Sequence, residues 1–323
     1  MTLQERLGIE IPVFCAPMGG GIAGVALVTA ISNAGGCGVL GATALPASHL
    51  AELIREARRK TRRPFGVGFA IPLLQGGELE AVCADPVAFV WLFWGDTQPH
   101  VARLHAAGMP VWVQVGSVDE ARAARAAGAD VIVAQGVEAG GHVRGTEKLD
   151  GFLRAVVPAV APVPVIAAGG IADLADARRA AALGAQGVAL GTRFLASHES
   201  LASREYKSRI VSARAQDTVL TKLFDGGWPD ATHRVLRTRS YERWLAAGSP
   251  ASGARPGEGE LVGKARLAGQ LVPVPRYAVL PPLEGTEGDV DDFVLYAGES
   301  VSRIDDVRPA AEIVRELAPA FAR

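Results

Sequence analysis

Eight short apolar runs, evenly spaced over the first two-thirds of the chain, constrain its fold more than any other feature. The runs are Pro12–Met18, Gly36–Ala42, Phe65–Ile71, Ala88–Gly95, Val111–Gly116, Val131–Gly136, Val163–Gly170 and Gly187–Phe194. Continuous apolar runs of this length are typical of parallel strands that are covered on both faces. Their starts lie about 20 to 32 residues apart, the length of a strand–helix unit. Eight units in succession predict a (β/α)8 TIM barrel, since the alternative, an open doubly wound sheet, seldom has eight regular units.

Ala-rich amphipathic stretches lie between the runs, and four of them end at a glycine. These glycines are Gly35, Gly108, Gly128 and Gly184. A glycine just past a helix takes the left-handed conformation that closes the last turn. Ser117 and Glu120 have the spacing of a capping box at the start of one such helix. The pattern predicts helices that lead directly into the next strand.

The regular spacing stops near Ser200. We expect residues 1–200 to form the barrel and residues 201–323 to form an appended, mostly helical lid segment whose last part returns to the barrel. Within this segment, Ser249–Tyr277 is rich in Gly and Pro and predicts a long excursion or flexible loop. Asp306–Arg323 has the apolar stripe of an amphipathic helix.

Charge and cysteine content argue against several classes of function. The chain has 33 Lys and Arg against 34 Asp and Glu, so a net charge of −1 gives no electrostatic reason to expect nucleic acid or an anionic membrane as partner. The three cysteines contain no C-x-x-C pair, which suits neither a disulfide framework nor a zinc site, and no metal is expected. The uncharged stretch between Glu10 and Glu52 contains eight glycines, which fit turns better than a membrane span. Since the N-terminal residues lack signal-peptide features, we expect a cytoplasmic protein.

Glycine-rich turns follow the last two predicted strands. In a TIM barrel, function gathers at the carboxyl ends of the strands, and phosphate commonly binds after strands seven and eight. The turns here are Ala168-Gly169-Gly170 and Gly191-Thr192. Glycine lets backbone N–H groups approach an anion closely, and a helix N-terminus adds a favourable dipole. Two such turns favour a phosphate site over ordinary tight turns that need glycine without a ligand.

A second phosphate motif, G-x-G-x-x-G, spans Gly19–Gly24 after the first strand. A dinucleotide site of this type needs an acidic residue about 20 residues later to hold the ribose. No carboxylate occurs before Glu52. We therefore expect this loop to lie flat against a planar ring instead of binding a dinucleotide.

The sixth strand runs into the sequence Gln135-Gly136-Val137-Glu138-Ala139-Gly140-Gly141-His142. A histidine on a Gly-Gly loop at the catalytic face suits a general base, because its ordinary pKa lies near working pH. The other histidines have no such setting and are expected to be structural: His49, His100, His105, His198 and His233. Gln114 and Gln135 end apolar strands, so each either bonds the heteroring of a ligand or has a structural partner.

Five motifs follow one another along the chain. They are Ala16-Pro17-Met18-Gly19-Gly20, the run Gln135–His142, Ala168-Gly169-Gly170-Ile171, Leu190-Gly191-Thr192-Arg193-Phe194 and Tyr296-Ala297-Gly298-Glu299-Ser300. Together they resemble the nitronate monooxygenases, formerly called 2-nitropropane dioxygenases. The resemblance covers most of Ile11–Ser197 and the late segment around Gly298.

The resemblance implies flavin mononucleotide (FMN), bound without covalent attachment in a TIM barrel. It implies a phosphate at Gly170, Gly191 and Thr192, a flavin ring beside Pro17, Met18 and Gly19, and contacts from Gln135 and Gly140. The full set of candidate cofactor-binding residues is Ala16, Pro17, Met18, Gly19, Gly68, Gln114, Gln135, Gly140, Gly141, Ala168, Gly169, Gly170, Gly191 and Thr192. Many relatives carry Asn where this chain has Gly68, so a contact there would come from backbone.

His142 matches the family's catalytic histidine, which takes a proton from a neutral nitroalkane or assists oxidation of the nitronate. The implied reaction oxidises an alkyl nitronate with O2 to a carbonyl compound and nitrite, so these small molecules are the expected partners. The flavin would carry the redox chemistry, and the protein would supply position and a base. A monomer or a homodimer is expected.

Other functions fit the same motifs. The Glu-Ala-Gly-Gly-His pattern also resembles flavin-dependent enoyl-acyl-carrier reductases and some NADH:quinone reductases, which share this barrel and need a reduced nicotinamide donor. A flavin-free phosphate-binding barrel, such as a lyase or isomerase, would use the same loops after strands seven and eight, and a non-catalytic ligand-binding barrel is a further alternative. The run Arg234, Arg237, Arg239 and Arg243 would form either a basic rim for a carrier protein or a solvated helix face.

Overall fold

The computed structural model describes residues 2–322, and its largest sheet has eight parallel strands. The barrel strands are β1 (Val13–Cys15), β2 (Gly38–Gly41), β3 (Phe65–Ala70), β4 (Val90–Phe93), β5 (Val111–Val115), β6 (Val131–Gln135), β8 (Val165–Ala168) and β9 (Gly187–Leu190); the two-residue β7 (Gly141–His142) lies outside the barrel. From β2 to β9, each barrel strand pairs in parallel with the next barrel strand. β9 pairs with β1, and backbone hydrogen bonds from Cys15 and to Val13 join β1 to Cys37, which closes the ring. The predicted (β/α)8 barrel is confirmed.

Helices connect the strands as the glycine junctions predict. They are α1 (Leu3–Leu7), α2 (Val25–Asn33), α3 (Ala47–Lys60), α4 (Glu78–Ala84), α5 (Gln98–Ala106), α6 (Val118–Ala126), α7 (Leu149–Val160), α8 (Leu174–Ala182) and the short α9 (Thr192–Leu195). The four junction glycines have φ between 76° and 97°, the left-handed conformation predicted for them. Ser117 caps α6 by accepting a hydrogen bond from the Glu120 N–H.

The eighth strand is shorter than the sequence predicts. β9 ends at Leu190, and residues 192–194, expected as strand, belong to α9 instead. Phe194 is fully buried on this helix. Because a buried helix turn and a buried strand are equally apolar, apolarity alone does not mark where the strand ends.

Aromatic rings fill the barrel interior. Phe89 and Trp112 are stacked with ring centroids 3.8 Å apart, and Phe14 meets Trp112 edge-on at 4.8 Å. Gly66 makes room for this stack, since a Cβ there would lie 2.5 Å from the Phe89 ring. A filled interior is a packed core and not a pore, so a ligand site has to lie at one end of the barrel.

The segment after residue 200 mixes helices and strands, where the sequence analysis expected mostly helices. Its elements are α10 (Arg204–Ser212), β10 (Thr218–Thr221), β11 (His233–Leu236), α11 (Arg239–Ala246), β12 (Leu261–Leu267), β13 (Gln270–Pro275), β14 (Glu287–Gly288) and α12 (Ala310–Leu317). β10 and β11 form a hairpin whose second strand pairs with β7, so this segment is joined to the loop after β6. β12 and β13 form a second hairpin within the stretch predicted as a loop. The prolines of β13 are compatible with a strand because β13 lies at a sheet edge.

The last helix returns to the barrel. α12 packs against α2 and α8 and takes the position of the eighth barrel helix. Its buried residues belong to the same apolar cluster as the outer faces of the barrel strands: Ala310, Ile313, Val314 and Leu317. Residues 196–309 are therefore inserted between β9 and the helix that completes the barrel.

Candidate active site

A cavity of about 220 Å³ lies at the carboxyl ends of the barrel strands, beneath the C-terminal segment. Most candidate residues from the sequence line it: Ala16, Pro17, Met18, Gly19, Gln114, Gln135, Gly140, Gly141, His142, Gly191 and Thr192. Side chains that the sequence analysis did not select complete the wall, among them Phe69, Phe93, Trp228, Leu267 and Tyr296. Within residues 2–322, the lining contains no Asp, Glu, Lys or Arg.

Gly68 lies beside the cavity and not on its surface. A Cβ at this position would come within 2.2 Å of the Pro17 Cβ. A side chain here would therefore displace Pro17 from the cavity wall. This close approach accounts for a glycine at the position, and a backbone contact with a cofactor stays a prediction.

The turn after β8 also packs behind the cavity wall. Ala168 ends β8 inside the barrel, and Gly169 and Gly170 follow with φ of +97° and +70°. A Cβ on Gly169 would lie 3.0 Å from the Ala139 Cβ, and one on Gly170 would lie 3.1 Å from the Glu138 Cβ. The turn therefore supports the loop after β6, and its role in binding phosphate stays a prediction.

His142 faces the cavity from a surround of aromatic rings. Its imidazole stacks on Trp228 with centroids 4.1 Å apart and meets Trp94 edge-on at 6.3 Å. The rings of His233 and Tyr296 lie 5.4 Å and 5.6 Å away. Burial among these groups, with a smaller effect from the neighbouring His233, lowers the pKa of His142 to about 3. The imidazole is therefore neutral at physiological pH.

His233, which the sequence analysis set aside as structural, lies fully buried beside His142. The two residues are partners in the β7–β11 ladder. His233 Nδ1 donates to the Ala231 carbonyl at 2.8 Å, and Nε2 accepts from the Phe224 N–H at 3.3 Å. Burial lowers the pKa of His233 to about 4, so it too is neutral. His233 begins β11 and does not follow a predicted barrel strand or a glycine pair, so its sequence context carried no signal.

Three aromatic residues around His142 were also missed. Tyr296 belongs to the late Tyr-Ala-Gly motif, which is the one signal that points to it. Trp228 has no comparable motif around it. Trp94 directly follows β4, has a left-handed φ of 64° and carries the Arg144 guanidinium over its ring at 4.9 Å.

Two buried polar atoms on the cavity wall have no hydrogen-bond partner among the described residues. Gln135 Nε2 donates to the His142 carbonyl at 2.9 Å, whereas Gln135 Oε1 bonds nothing. His142 Nε2 is likewise buried and unpartnered. By contrast, Gln114 Oε1 accepts from the Trp91 indole at 3.0 Å, which is a structural bond. Unpaired buried polar atoms cost stability, so Gln135 and His142 are suited to a ligand that bonds them.

Arg234 braces the loop that carries His142. Its Nε and Nη2 donate to the Val137 carbonyl at 3.2 and 3.0 Å, and its Nη1 donates to Thr218 Oγ1. Glu299 forms an ion pair with it at 3.2 Å. Arg234 is buried on β11, so it belongs neither to a basic rim nor to a solvated helix face.

Three of the sequence motifs meet where the late Ala-Gly segment crosses the loop after β6. A Cβ on Gly140 would lie 2.4 Å from the Gly298 nitrogen. Thr192 Oγ1 accepts from the Gly298 N–H at 3.0 Å, and the Glu299 N–H donates to the Glu138 carbonyl at 2.9 Å. The motifs are therefore parts of one contact that fixes the rim of the cavity.

Residues 1–87 and 75–320 match the sequence profile of the nitronate monooxygenase family. The chain belongs to this family. Membership confirms the resemblance seen in the sequence and makes this nitronate monooxygenase family protein a flavin-dependent oxidoreductase. The flavin-free lyase or isomerase alternative is thereby set aside.

Proteins that are similar to this chain carry different functional names. The chain is 38% identical over 254 residues to (3aS,4S,5R,7aS)-5-hydroxy-7a-methyl-1-oxo-octahydro-1H-indene-4-carboxyl-CoA dehydrogenase of Mycobacterium tuberculosis, covering 78% of this chain and 70% of that protein. It is 38% identical over 256 residues to nitronate monooxygenase npaC of Metarhizium robertsii, covering 68% of this chain and 70% of that protein. The structure of FabK from Thermotoga maritima superimposes with a TM-score of 0.81 at 31% identity, covering 99% of this chain and 95% of that one.

Two other kinds of feature are absent from the described residues. No group of three or more His, Cys, Asp or Glu side chains in residues 2–322 is placed to hold a metal ion. None of the helices in the same range has the length and apolarity needed to cross a bilayer.

Proposed function

We propose that this protein binds FMN in the cavity and oxidises alkyl nitronates with O2 to a carbonyl compound and nitrite. The observation that carries the proposal is the pair of His142 and Gln135, a neutral imidazole and an amide whose buried Nε2 and Oε1 atoms lack partners. Membership of the nitronate monooxygenase family supports the same reaction class.

The lining residues fit a flavin. Pro17 and Met18 offer an apolar surface to a planar ring, and Gln135 offers the unpartnered carbonyl oxygen of its amide. Gly191 and Thr192 would hold the phosphate: Thr192 Oγ1 accepts from backbone, so its own hydroxyl hydrogen is available for a phosphate oxygen. Flavin, when bound, supplies the redox chemistry between nitronate and oxygen.

The low pKa of His142 bears on which form of the substrate reacts. A neutral imidazole has one N–H donor and one acceptor nitrogen, and the donor would hold an oxygen of the nitronate anion. Removing a proton from a neutral nitroalkane would create an imidazolium in surroundings that disfavour charge. We therefore propose the preformed nitronate as the substrate and a hydrogen-bonding role for His142.

The apolar walls contribute by limiting water. Phe69, Phe93, Trp228 and Tyr296 line the same cavity as His142. A hydrogen bond from the imidazole to an anion is stronger where water is excluded. The site would thus hold the nitronate by oriented dipoles instead of by a paired cation.

Two observations favour a second candidate function. Among residues 2–322, the cavity lining has no charged side chain to pair with a nitronate anion, and a relative with 38% identity is named as a carboxyl-CoA dehydrogenase. A flavin-dependent reductase or dehydrogenase that acts on a thioester and exchanges electrons with a nicotinamide is therefore the alternative.

An anaerobic visible-spectrum titration of the purified FMN-containing protein separates the two candidates. The nitronate of nitroethane is expected to change the flavin spectrum, and NADH is expected to leave it unchanged. Full bleaching by NADH with nitronate inert would move the protein to the reductases. A colourless protein that releases no flavin on denaturation and takes up no added FMN would refute both.

A further inference from the structure

One set of side chains in the cavity lining is apolar, uncharged and outside the motifs assigned to the flavin. These side chains belong to Leu73, Phe93, Trp228, Leu267, Val279 and Leu280. The first two come from the barrel, and the other four come from the C-terminal segment. A substrate bound in this cavity is expected to place the atoms beyond its nitronate group against such side chains.

Leu267 comes from the tip of the β12–β13 hairpin. It is the last residue of β12 and precedes a two-residue turn, in which Ala268 and Gly269 have φ of +48° and +82°. Two left-handed residues make the tight turn that suits the twist of a hairpin. The hairpin is fixed behind its tip, because Ala265 and Val274 are both buried at 1% exposure. Leu267 is therefore held at the cavity wall by a hairpin whose own buried residues fix its position.

Charged side chains in the neighbouring segments are paired away from this wall. Lys264 of β12 forms an ion pair with Glu287 at 3.2 Å, and Arg266 donates to a backbone carbonyl of its own turn. Arg144, which lies on the other side of Trp94, is paired with Glu120. None of these charged groups belongs to the lining, so none is placed to receive a second charge on the substrate.

We propose that the substrate carries an uncharged apolar substituent, and that Leu267 is the residue that selects for it. This inference rests on the proposed function for the nitronate group alone. Each methylene buried against the wall is expected to raise kcat/KM about fourfold until the wall is covered. A carboxylate in the same place would lose its hydration without gaining a partner, so nitronates with a terminal carboxylate are expected to be poor substrates.

The first test is the chain-length dependence of nitronate oxidation by the FMN-loaded protein. The nitronates of nitroethane, 1-nitrobutane and 1-nitrohexane are compared with propionate 3-nitronate. We expect kcat/KM to rise with chain length and to be lowest for the carboxylate. Equal kcat/KM across the alkyl series, or a preference for propionate 3-nitronate, would overturn the inference and leave nitronate oxidation standing.

The second test places a charge at the selecting position. Leu267→Lys is expected to remove most of the advantage of the hexyl over the ethyl nitronate and to improve propionate 3-nitronate. Leu271→Lys is the matched control: it lies on the same hairpin, is 41% exposed and does not line the cavity. If the two variants behave alike, Leu267 does not select the substrate.

A binding measurement separates this inference from the proposed function. Butyrate, hexanoate and adipate carry the planar two-oxygen anion of a nitronate but undergo no oxidation, and their binding is followed by tryptophan fluorescence and by the flavin spectrum. Hexanoate is expected to bind about tenfold or more tighter than butyrate and adipate in the wild-type protein and in Leu271→Lys, but not in Leu267→Lys. That pattern without any nitronate oxidation would refute the proposed function and support the apolar subsite. Equal binding of all three would refute the subsite.

Discussion

The imidazole of His142 is buried among aromatic rings and neutral at working pH. Removing it should therefore affect catalysis through the loss of a hydrogen-bond donor. His142→Ala is expected to lower kcat for a preformed nitronate by about 10²-fold, because a hydrogen-bond donor to the reacting anion is removed. FMN content should stay near that of the wild type. Steady-state kinetics and the flavin absorbance check both outcomes. His198→Ala, at an exposed histidine outside the cavity, is the control and should leave kcat unchanged.

The same residue predicts a pH profile. An imidazole with a pKa near 3 is in its neutral form above that value and is protonated only as the pH falls through it. The kcat/KM for preformed nitronate should therefore show no histidine limb between pH 5 and 8. Initial rates at constant nitronate concentration across this range test the point. A limb near pH 6.5 that disappears in His142→Ala would show that the imidazole titrates with an ordinary pKa and works as a base.

Arg234 acts on His142 only through the loop that it braces, so we class it as a positioning residue. Arg234→Met and Arg234→Lys are both expected to lower kcat about tenfold with little change in KM, because lysine lacks the two-nitrogen contact with the Val137 carbonyl. Arg237→Met removes an exposed arginine nearby on the chain and serves as control. Full kcat in Arg234→Lys would mean that only the charge matters.

The residues that could be predicted from sequence are those set by local rules. Strand ends marked by glycine identified Gln135, His142, Gly191 and Thr192, since the carboxyl ends of parallel strands in a barrel share one face. His233 and Trp228 lie far along the chain from His142. His233 reaches His142 through a strand pairing, and Trp228 stacks on the His142 ring. No local pattern encodes such a pairing, so the aromatic surround that sets the pKa of His142 could not be foreseen.

At the scale of elements, two neighbouring glycines in the loop after β6 are required for different reasons. Gly140 lies against the Gly298 backbone, and Gly141 has a left-handed φ. Gly140→Ala is expected to destabilise the protein by at least about 2 kcal/mol, because its Cβ would collide with the Gly298 backbone. Gly141→Ala has open space but a φ of +77°, so its cost should be about 1 kcal/mol. Urea unfolding and FMN titration compare the pair, and only Gly140→Ala should lose FMN affinity strongly. If the two variants lose equal stability and FMN affinity, the segment around Gly298 moves easily to accommodate the extra methyl group of Gly140→Ala.

The elements differ in how far the sequence revealed them. The barrel strands are buried on both faces, so their apolar runs stand out, and the helix junctions carry their own glycines. The β12–β13 hairpin is half exposed and contains prolines and glycines, the composition of a loop. The pairing of the two strands, and the position of Leu267 at the cavity, could therefore not be predicted from the sequence.

At the scale of the whole molecule, α12 completes the barrel from beyond a long insertion. Ile313→Ala is expected to lower the free energy of unfolding by about 2–5 kcal/mol, because its side chain fills the seam against the barrel core. Arg315→Ala on the exposed face of the same helix should change it by less than about 0.5 kcal/mol. Urea denaturation followed by circular dichroism measures both. A small effect of Ile313→Ala would mean that the barrel holds without its eighth helix.

The insertion between β9 and α12 also delays the synthesis of the last barrel helix relative to the last barrel strand. About 120 residues separate Leu190 from Ala310, and a ribosome adding about 5–20 residues each second needs roughly 6 to 24 s to make them. Throughout that interval the apolar surface on α2 and α8 that α12 later covers stays exposed on the nascent barrel. The growing chain thus exposes this apolar surface for seconds. A chaperone that binds the nascent chain is expected to bind it there.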